Sequence, residues 1–297
     1  MKYRFIYLGV SLFFLIFGAY GIIKWGFKLG VDFTGGAVVE YKFENSVSTE
    51  EINNKLSQKG FPVNSIQKAG IDNYLFRFPP LEREEKEKVT LALEEILGSS
   101  VKELRFENVG PSIGPELIRK TVIAMLLSTI VILLWVALQF KSFKFGTSAI
   151  LAMFHDSLIL IGSFSILGHF FNTEVDFLFV TALLTTLSFS VHDTIVVYDR
   201  IREYQKKEGG LLKDLADRAV SETMVRSLNN SFTILFMLVA LILLGGTTVR
   251  WFAVALLIGT IAGTYSSPFV AVSLLVSFDE LNSYLKKNNI LQKILKK

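Results

Sequence analysis

Six stretches of this chain are apolar over lengths that match the hydrocarbon core of a bilayer, and this constrains the fold more than any other feature. They run roughly over Phe5–Ile23, Thr121–Phe140, Ser148–Leu167, Phe177–Tyr198, Ser231–Leu244 and Phe252–Val276. Lipid offers no partner to a backbone N–H or C=O, so such segments must be helices that satisfy their own polar groups. The composition agrees: 51% of residues are hydrophobic, only 20% are charged, and mean hydropathy is +0.45, values that point away from an ordinary soluble domain. Cysteine is absent, which excludes disulfides, thiol catalysis and Cys-ligated metal. The first stretch is too long for the core of a cleaved signal peptide, and Lys24-Trp25 follows it in place of small residues. It reads as a retained signal anchor.

The positive residues set an orientation. With the N-terminus on the cytoplasmic side, sixteen Lys and Arg residues fall in inner segments, from Lys2 and Arg4 through Lys141 and Lys144, the cluster from Arg200 to Arg226, and the tail from Lys286 to Lys297. Only Arg250 lies in the two short outer loops. Both termini are therefore expected to be cytoplasmic. These clusters read as topology signals and lipid-headgroup contacts, and nucleic acid is not an expected partner.

Residues 26–120, between the first two spans, form an outward-facing soluble insert. Gly36–Glu44 alternates like a strand, and Ser48–Lys59 opens with the helix start Ser-Thr-Glu-Glu. Val63–Lys68 and Tyr74–Phe78 read as strands, Glu82–Leu97 as a charged helix and Val101–Val109 as a last strand. The order βαββαβ is that of a small ferredoxin-like α+β domain. The expected organisation is thus residues 1–25 as tail and first helix, 26–120 as the α+β domain, 121–277 as helices two to six, and 278–297 as a basic tail. The insert has no histidine, and its alternating acids and bases read as a solvated surface, so a binding or lever module is expected rather than an enzyme.

Two glycine-containing motifs flank the insert: LGVDFTGG, with Asp32, Gly35 and Gly36, and VGPSIGPEL, with Gly110, Pro111 and Gly114. Gly35-Gly36 permits positive φ or close backbone approach where a strand begins, and the Gly-Pro pairs stiffen the approach to the second helix. Plain linkers are one reading. A hinge or docking collar explains the symmetric placement better.

Four ionisable side chains lie well inside spans: His155 and Asp156 in the third, His192 and Asp193 in the fourth. A charge within a span is penalised by several kcal/mol, roughly 2.5–3.5 on insertion scales, and marks an ion path or a buried pair. At 1.5 Å rise per residue, Asp156 sits roughly 12 Å and Asp193 roughly 8 Å from the same side of the membrane. Asp193 heads a polar stripe with Thr186, Ser190 and Arg200. Desolvation favours a neutral carboxyl group, which suits proton loading near neutral pH, and Arg226, just before the fifth span, is the nearest basic candidate to oppose it. Proton arrival is expected to weaken an Asp193–Arg226 attraction and let helices four and five shift. A structural interhelix hydrogen bond is the competing reading, and for Asp156 the two stand level. Adjacent helical residues point about 100° apart, so the His-Asp dipeptides do not chelate in the manner of an i, i+4 pair, and no metal or other cofactor is expected.

Taken together, LGVDFTGG after the first span, VGPSIGPEL before the second, SFSVHDTIVVYDRIRE ending the fourth and GTYSSPF in the sixth resemble the SecF family, part of the SecD/SecF protein-export proteins of the RND superfamily. The resemblance spans essentially the whole chain. It implies an RND-type six-helix half that pairs with a SecD-like subunit from a separate chain and uses the proton-motive force. The task it implies is late translocation of polypeptides through the SecYEG channel and its associated SecA, not enzymatic catalysis. It also associates an arginine at Arg226 with the proton path. In the sixth helix it singles out Gly263, Tyr265, Ser266 and Ser267, although small polar residues in spans often serve packing alone. Pro268 stands where the family more commonly has an aliphatic residue, and a kink is expected there. A non-conducting scaffold subunit and an RND-type exporter of small molecules or lipids are the alternatives. An intramembrane aspartyl protease would need a Gly-x-Gly-Asp type signature, whereas Asp193 follows Ser-Val-His.

Overall fold

The structure, a computed structural model, describes residues 3–44, 46–68, 72–110, 113–140 and 142–295. In chain order it contains α1 (Arg4–Trp25), α2 (Val31–Thr34), β1 (Gly36–Lys42), α3 (Thr49–Gln58), β2 (Ser65–Lys68), β3 (Asn73–Phe78), α4 (Arg83–Leu97) and β4 (Lys102–Val109). Then come α5 (Ile113–Phe140), α6 (Phe143–Phe171), α7 (Phe177–Lys207), α8 (Leu212–Leu244), α9 (Thr247–Ser266), a π-helical turn at Ser267–Ala271 and α10 (Val272–Leu295). The chain forms two compact units. One holds Leu29–Ala124 with Glu174–Phe177; the other holds Met1–Lys28, Met125–Thr173 and Leu178–Lys297.

The smaller unit is an antiparallel sheet in the order β2-β3-β1-β4 with α3 and α4 as its helices. The period-two alternation explains its core. Ala37, Val39 and Tyr41 from β1 and Tyr74, Phe76 and Phe78 from β3 meet Ile52 and Leu56 of α3 and Val89 and Leu93 of α4. β1 is central, which is why nearly all of it is buried. A capping box starts α4: the Glu85 side chain accepts from the Glu82 backbone N–H at 3.0 Å. Gly98, left-handed at φ 65°, ends it. The expected βαββαβ order is present, with strand ends shifted by one or two residues.

The larger unit is helical. Among the described residues six helical segments are long and apolar enough to cross a membrane: Arg4–Trp25, Gly114–Val136, Phe143–Phe171, Phe177–Lys207, Leu212–Leu244 and Val249–Leu285. The fourth and fifth extend well beyond their apolar runs. Residues from Asp199 to Arg226 make a helical hairpin whose inner face, with Ile201, Leu212, Ala216 and Ala219, joins the core. Its outer face carries Arg200 paired with Glu222 and with Glu203, and Arg218 paired with Glu208. An amphipathic extension of this kind has low average hydropathy and escapes a search for apolar runs.

At Pro268, where a kink was expected, the last span widens into the π turn. Proline has no N–H, and its ring clashes with the carbonyl four residues earlier; an extra residue in the turn relieves both. The widened turn presents the Ala271 carbonyl to the Tyr198 hydroxyl, which donates to it at 2.8 Å.

Candidate functional site

Three stripes of small hydroxyl residues, each spaced by about one helical turn, face one another inside the helical unit. They are Thr186, Ser190 and Thr194 on α7, Thr223, Ser227 and Ser231 on α8, and Thr260, Thr264 and Ser267 on α9 and its π turn. All of them except Thr264 are buried. Spacing by four keeps each stripe on one face. Glycines let the stripes close up. A Cβ on Gly259 would fall 2.2 Å from Thr186 Cγ2, and one on Gly263 would stand 3.2 Å from Ser190 Cβ.

Two carboxylates sit within these stripes. Asp156 of α6 is 4% exposed and Asp193 of α7 is 7% exposed. Asp156 Oδ2 accepts from Ser190 Oγ at 2.5 Å and from Ser266 Oγ at 2.6 Å, while its Oδ1 lies 2.9 Å from His155 Nδ1. One side chain thereby ties α6 to α7 and α9. Both oxygens of Asp193 lie 2.8 Å from Ser227 Oγ of α8, and Ser267 also hydrogen-bonds this carboxylate. Ser267 further contacts Thr194 Oγ1 at 2.9 Å and donates to the Ser190 carbonyl at 3.3 Å. Ser266 and Ser267 are consecutive, so neighbouring residues at the start of the π turn reach the two carboxylates, one each.

The positions of the sequence-based candidates differ in instructive ways. Asp193, Asp156, Ser190, Ser266, Ser267 and Gly263 come together. Thr186 donates to the Leu183 carbonyl of its own helix at 2.9 Å and packs against Gly259. Arg200 is engaged by Glu222 and Glu203 and does not continue the Asp193 stripe. Tyr265 turns toward α1 and donates to the Tyr7 carbonyl at 2.8 Å. The expected Asp193–Arg226 attraction is absent: Arg226 is exposed, and among the described residues no Lys or Arg pairs with Asp193. Helical phase accounts for this, because Ser227 occupies the face toward α7 and Arg226 is rotated about 100° from it. His192 is likewise exposed. Among the described residues no group of three His, Asp or Glu side chains could hold a metal ion.

Ser227, Thr194 and Ser148 were missed from sequence. Tyr198 donates to Ser148 Oγ at 2.7 Å, beside its bond to Ala271. The signal that could have found Ser227 was the run Thr223, Ser227, Ser231, one hydroxyl per turn.

The motifs flanking the insert fold around residues 174–177. The Phe177 N–H, at the first residue of α7, donates to Asp32 Oδ2 at 3.0 Å, a side-chain cap in all but sequence proximity. The Gly30 N–H donates to the Val175 carbonyl at 2.8 Å, and Arg77 pairs with Glu174 at 2.6 Å. Gly35 takes φ 72°, and Gly36 takes φ 123° at a place where a Cβ would fall 2.8 Å from the Phe78 carbonyl. Gly114 lies so close to the Phe33 carbonyl that a Cβ would approach within 2.6 Å. Gly110 follows β4 directly; Pro111 lies outside the described residues. The two motifs thus contact each other and the segment that starts α7.

Comparison with known proteins gives this geometry a context. Residues 88–281 match the family described as protein export membrane protein SecD/SecF, C-terminal, and residues 23–47 match the SecD/SecF GG motif. The chain is 39% identical to the protein translocase subunit SecF of Thermobaculum terrenum, covering 94% of this chain and 93% of that protein. It is 38% identical to the protein translocase subunit SecDF of Thermus thermophilus over 85% of this chain, which is only 35% of that longer protein. The crystal structure of Thermus SecDF, described as a translocon-associated membrane protein, superimposes with a TM-score of 0.84 at 34% identity, covering 94% of this chain and 38% of that one.

Proposed function

Since the chain belongs to the SecD/SecF family of protein-export membrane proteins, as a SecF-type subunit of protein translocase, we propose that it couples the proton-motive force to polypeptide translocation through protonation of Asp193. One observation carries this reading. A carboxylate buried among the spans is held by hydroxyls from two neighbouring helices and by no cation among the described residues. Such a group exchanges a proton at little structural cost, and the exchange alters the contact between α7 and α8. One charge crossing 100 mV supplies about 2.3 kcal/mol, enough to bias a poised two-state arrangement by tens of fold.

The fused relative in Thermus supports a SecD-type partner for this chain. The exposed Arg226 fits that assembly, because a cation beside a span is stable only against protein, water or headgroups. SecYEG with SecA, anionic lipids and the emerging polypeptide complete the proposed partners. The basic clusters support cytoplasmic termini, which turns residues 26–120 outward as a module that meets the emerging chain. Asp156, held by Ser190 and Ser266, serves as the second carboxylate of the path.

The test is export into vesicles holding this subunit with its SecD-type partner, driven by a proton gradient. Asp193→Asn is expected to abolish the gradient-dependent part while leaving assembly with the partner intact. Unchanged export would favour a scaffold role instead.

A further inference from the structure

Tyr198, in the stretch SFSVHDTIVVYDRIRE, is completely buried and takes no part in the proposed proton path. Its hydroxyl lies 2.8 Å from the Ala271 carbonyl and 2.7 Å from Ser148 Oγ of α6. A phenol carries one hydrogen. Ser148 has acceptors of its own, the carbonyls of Lys144 and Phe145 at 2.7 and 3.1 Å. Ala271 is the last residue of the π turn, so Tyr198 holds the far end of that turn.

The same face of α7 holds the near end. Residues four apart on α7 meet residues four apart on the turn: Thr194 Oγ1 lies 2.9 Å from Ser267 Oγ, and Tyr198 bonds to Ala271. One turn earlier on α7, Ser190 shares Asp156 Oδ2 with Ser266. Three successive turns of one helix face thus hold the segment from Ser266 to Ala271. Ser267 is where this matters. Its hydroxyl has one hydrogen and two acceptors, the Asp193 carboxylate and the Ser190 carbonyl at 3.3 Å. Hydrogen bonds weaken steeply as their geometry degrades, so a small displacement of the turn decides which acceptor that hydrogen serves. Pro268 denies the turn a backbone bond, and side chains from α7 supply the hold that an unbroken α-helix would have from its own ladder.

We propose that Tyr198 is a positioning residue for Asp193. By holding the Ala271 carbonyl, its hydroxyl keeps the π turn where Ser267 serves the carboxylate. It acts on Asp193 through the turn, from about one and a half helical turns away on the same helix. Its importance for export rests on the ion-coupled reading above; the geometry it sets does not.

Aspartate labelled with ¹³C at the side-chain carboxyl reports on this contact in the lipid-reconstituted complex, with Asp193→Asn assigning the signal. Tyr198→Phe removes the hydroxyl and keeps the ring, whose edge packs on Phe145 with centroids 5.1 Å apart. It is expected to move the Asp193 signal in the direction that Ser267→Ala moves it. Added to Ser267→Ala, it should move the signal no further. Ser148→Ala takes away the tyrosine's other partner but leaves Ala271, and should leave the signal in place. If Tyr198→Phe does not accumulate, Pro268→Ala, which lets the turn close to an α-helix and withdraws the Ala271 carbonyl, is read the same way. An Asp193 signal indifferent to Tyr198→Phe, one displaced equally by Ser148→Ala, or two shifts that simply add, overturns the proposal. Gradient-driven export should fall about fivefold in Tyr198→Phe, the factor that one ordinary hydrogen bond corresponds to. Export that ignores Asp193→Asn while the carboxyl signal responds as expected would sink the ion-coupled reading and leave the positioning role standing.

Discussion

Ser227 Oγ on α8 lies 2.8 Å from both carboxylate oxygens of Asp193 on α7, so one hydroxyl proton is shared across the seam between two spans. A carboxylate can only accept hydrogen bonds, whereas its protonated form also donates. Protonation of Asp193 therefore changes which side of this contact provides the hydrogen, and the α7–α8 seam is where that change acts first.

Removing the Ser227 hydroxyl should be felt in function more than in assembly. A hydrogen bond to a charged group is worth about 1.5–3 kcal/mol. Ser227→Ala is expected to shift the pH profile of gradient-driven export and to lower thermal stability in detergent, whereas Ser227→Thr keeps both near wild type. An unchanged pH profile in Ser227→Ala would remove this residue from the coupling path.

The contact between Gly259 and Thr186 is a test of packing. Gly259→Ala places a methyl group 2.2 Å from Thr186 Cγ2, an overlap that should cost about 1–3 kcal/mol. Thr186→Ala in the same chain removes that methyl and should recover part of the loss. Thermal melts of the two single variants and the double variant measure the coupling; additive losses would show that α9 does not pack against α7 here.

The collar around residues 174–177 should resist even one added methyl. Gly114→Ala drives a Cβ into the Phe33 carbonyl, and Gly36→Ala adds strain at φ 123° to a clash with the Phe78 carbonyl. Both are expected to expose residues 29–124 to limited proteolysis. Asp32→Ala, which only uncaps Phe177, should cost about 0.5–2 kcal/mol and expose them less.

Tyr41 makes the inserted domain sensitive to alkali. Burial pushes its phenol up to about 12, against an opposing hydrogen bond with Thr90. The folded value lies above the usual value near 10, so this stability is complete below about pH 10 and is lost as pH rises through about 12. The two-unit difference corresponds to about 3 kcal/mol. Alkaline unfolding of the domain, followed by circular dichroism and phenolate absorbance, should be shallower in Tyr41→Phe than in the wild-type chain over that window.

Much of this was legible in the sequence, because bilayer length and two-residue alternation are local patterns. The apolar runs located six spans, and GAVVEYKFE with NYLFRF located the central strands. The polar extensions of α7 and α8 were not legible, since their apolar face is assembled from residues three and four apart within a charged stretch. The partner of Asp193 was misjudged for a related reason. Charge suggested Arg226, but a single residue's rotation along α8 puts Ser227 against the carboxylate instead.

By itself the sequence determined that Asp156 and Asp193 lie within spans, and that they must be used or satisfied there, because lipid leaves a carboxylate no other choice. It also determined that a proline would disturb the last helix. Only the tertiary structure decided which hydroxyls reach the two carboxylates. The π turn at Pro268 brings Ser266 toward one and Ser267 toward the other, and Gly259 and Gly263 let α9 approach α7 closely enough for those hydroxyls to reach. Hydrogen bonds act over about 3 Å, and which groups come within that distance depends on the crossing of helices that are far apart in the chain.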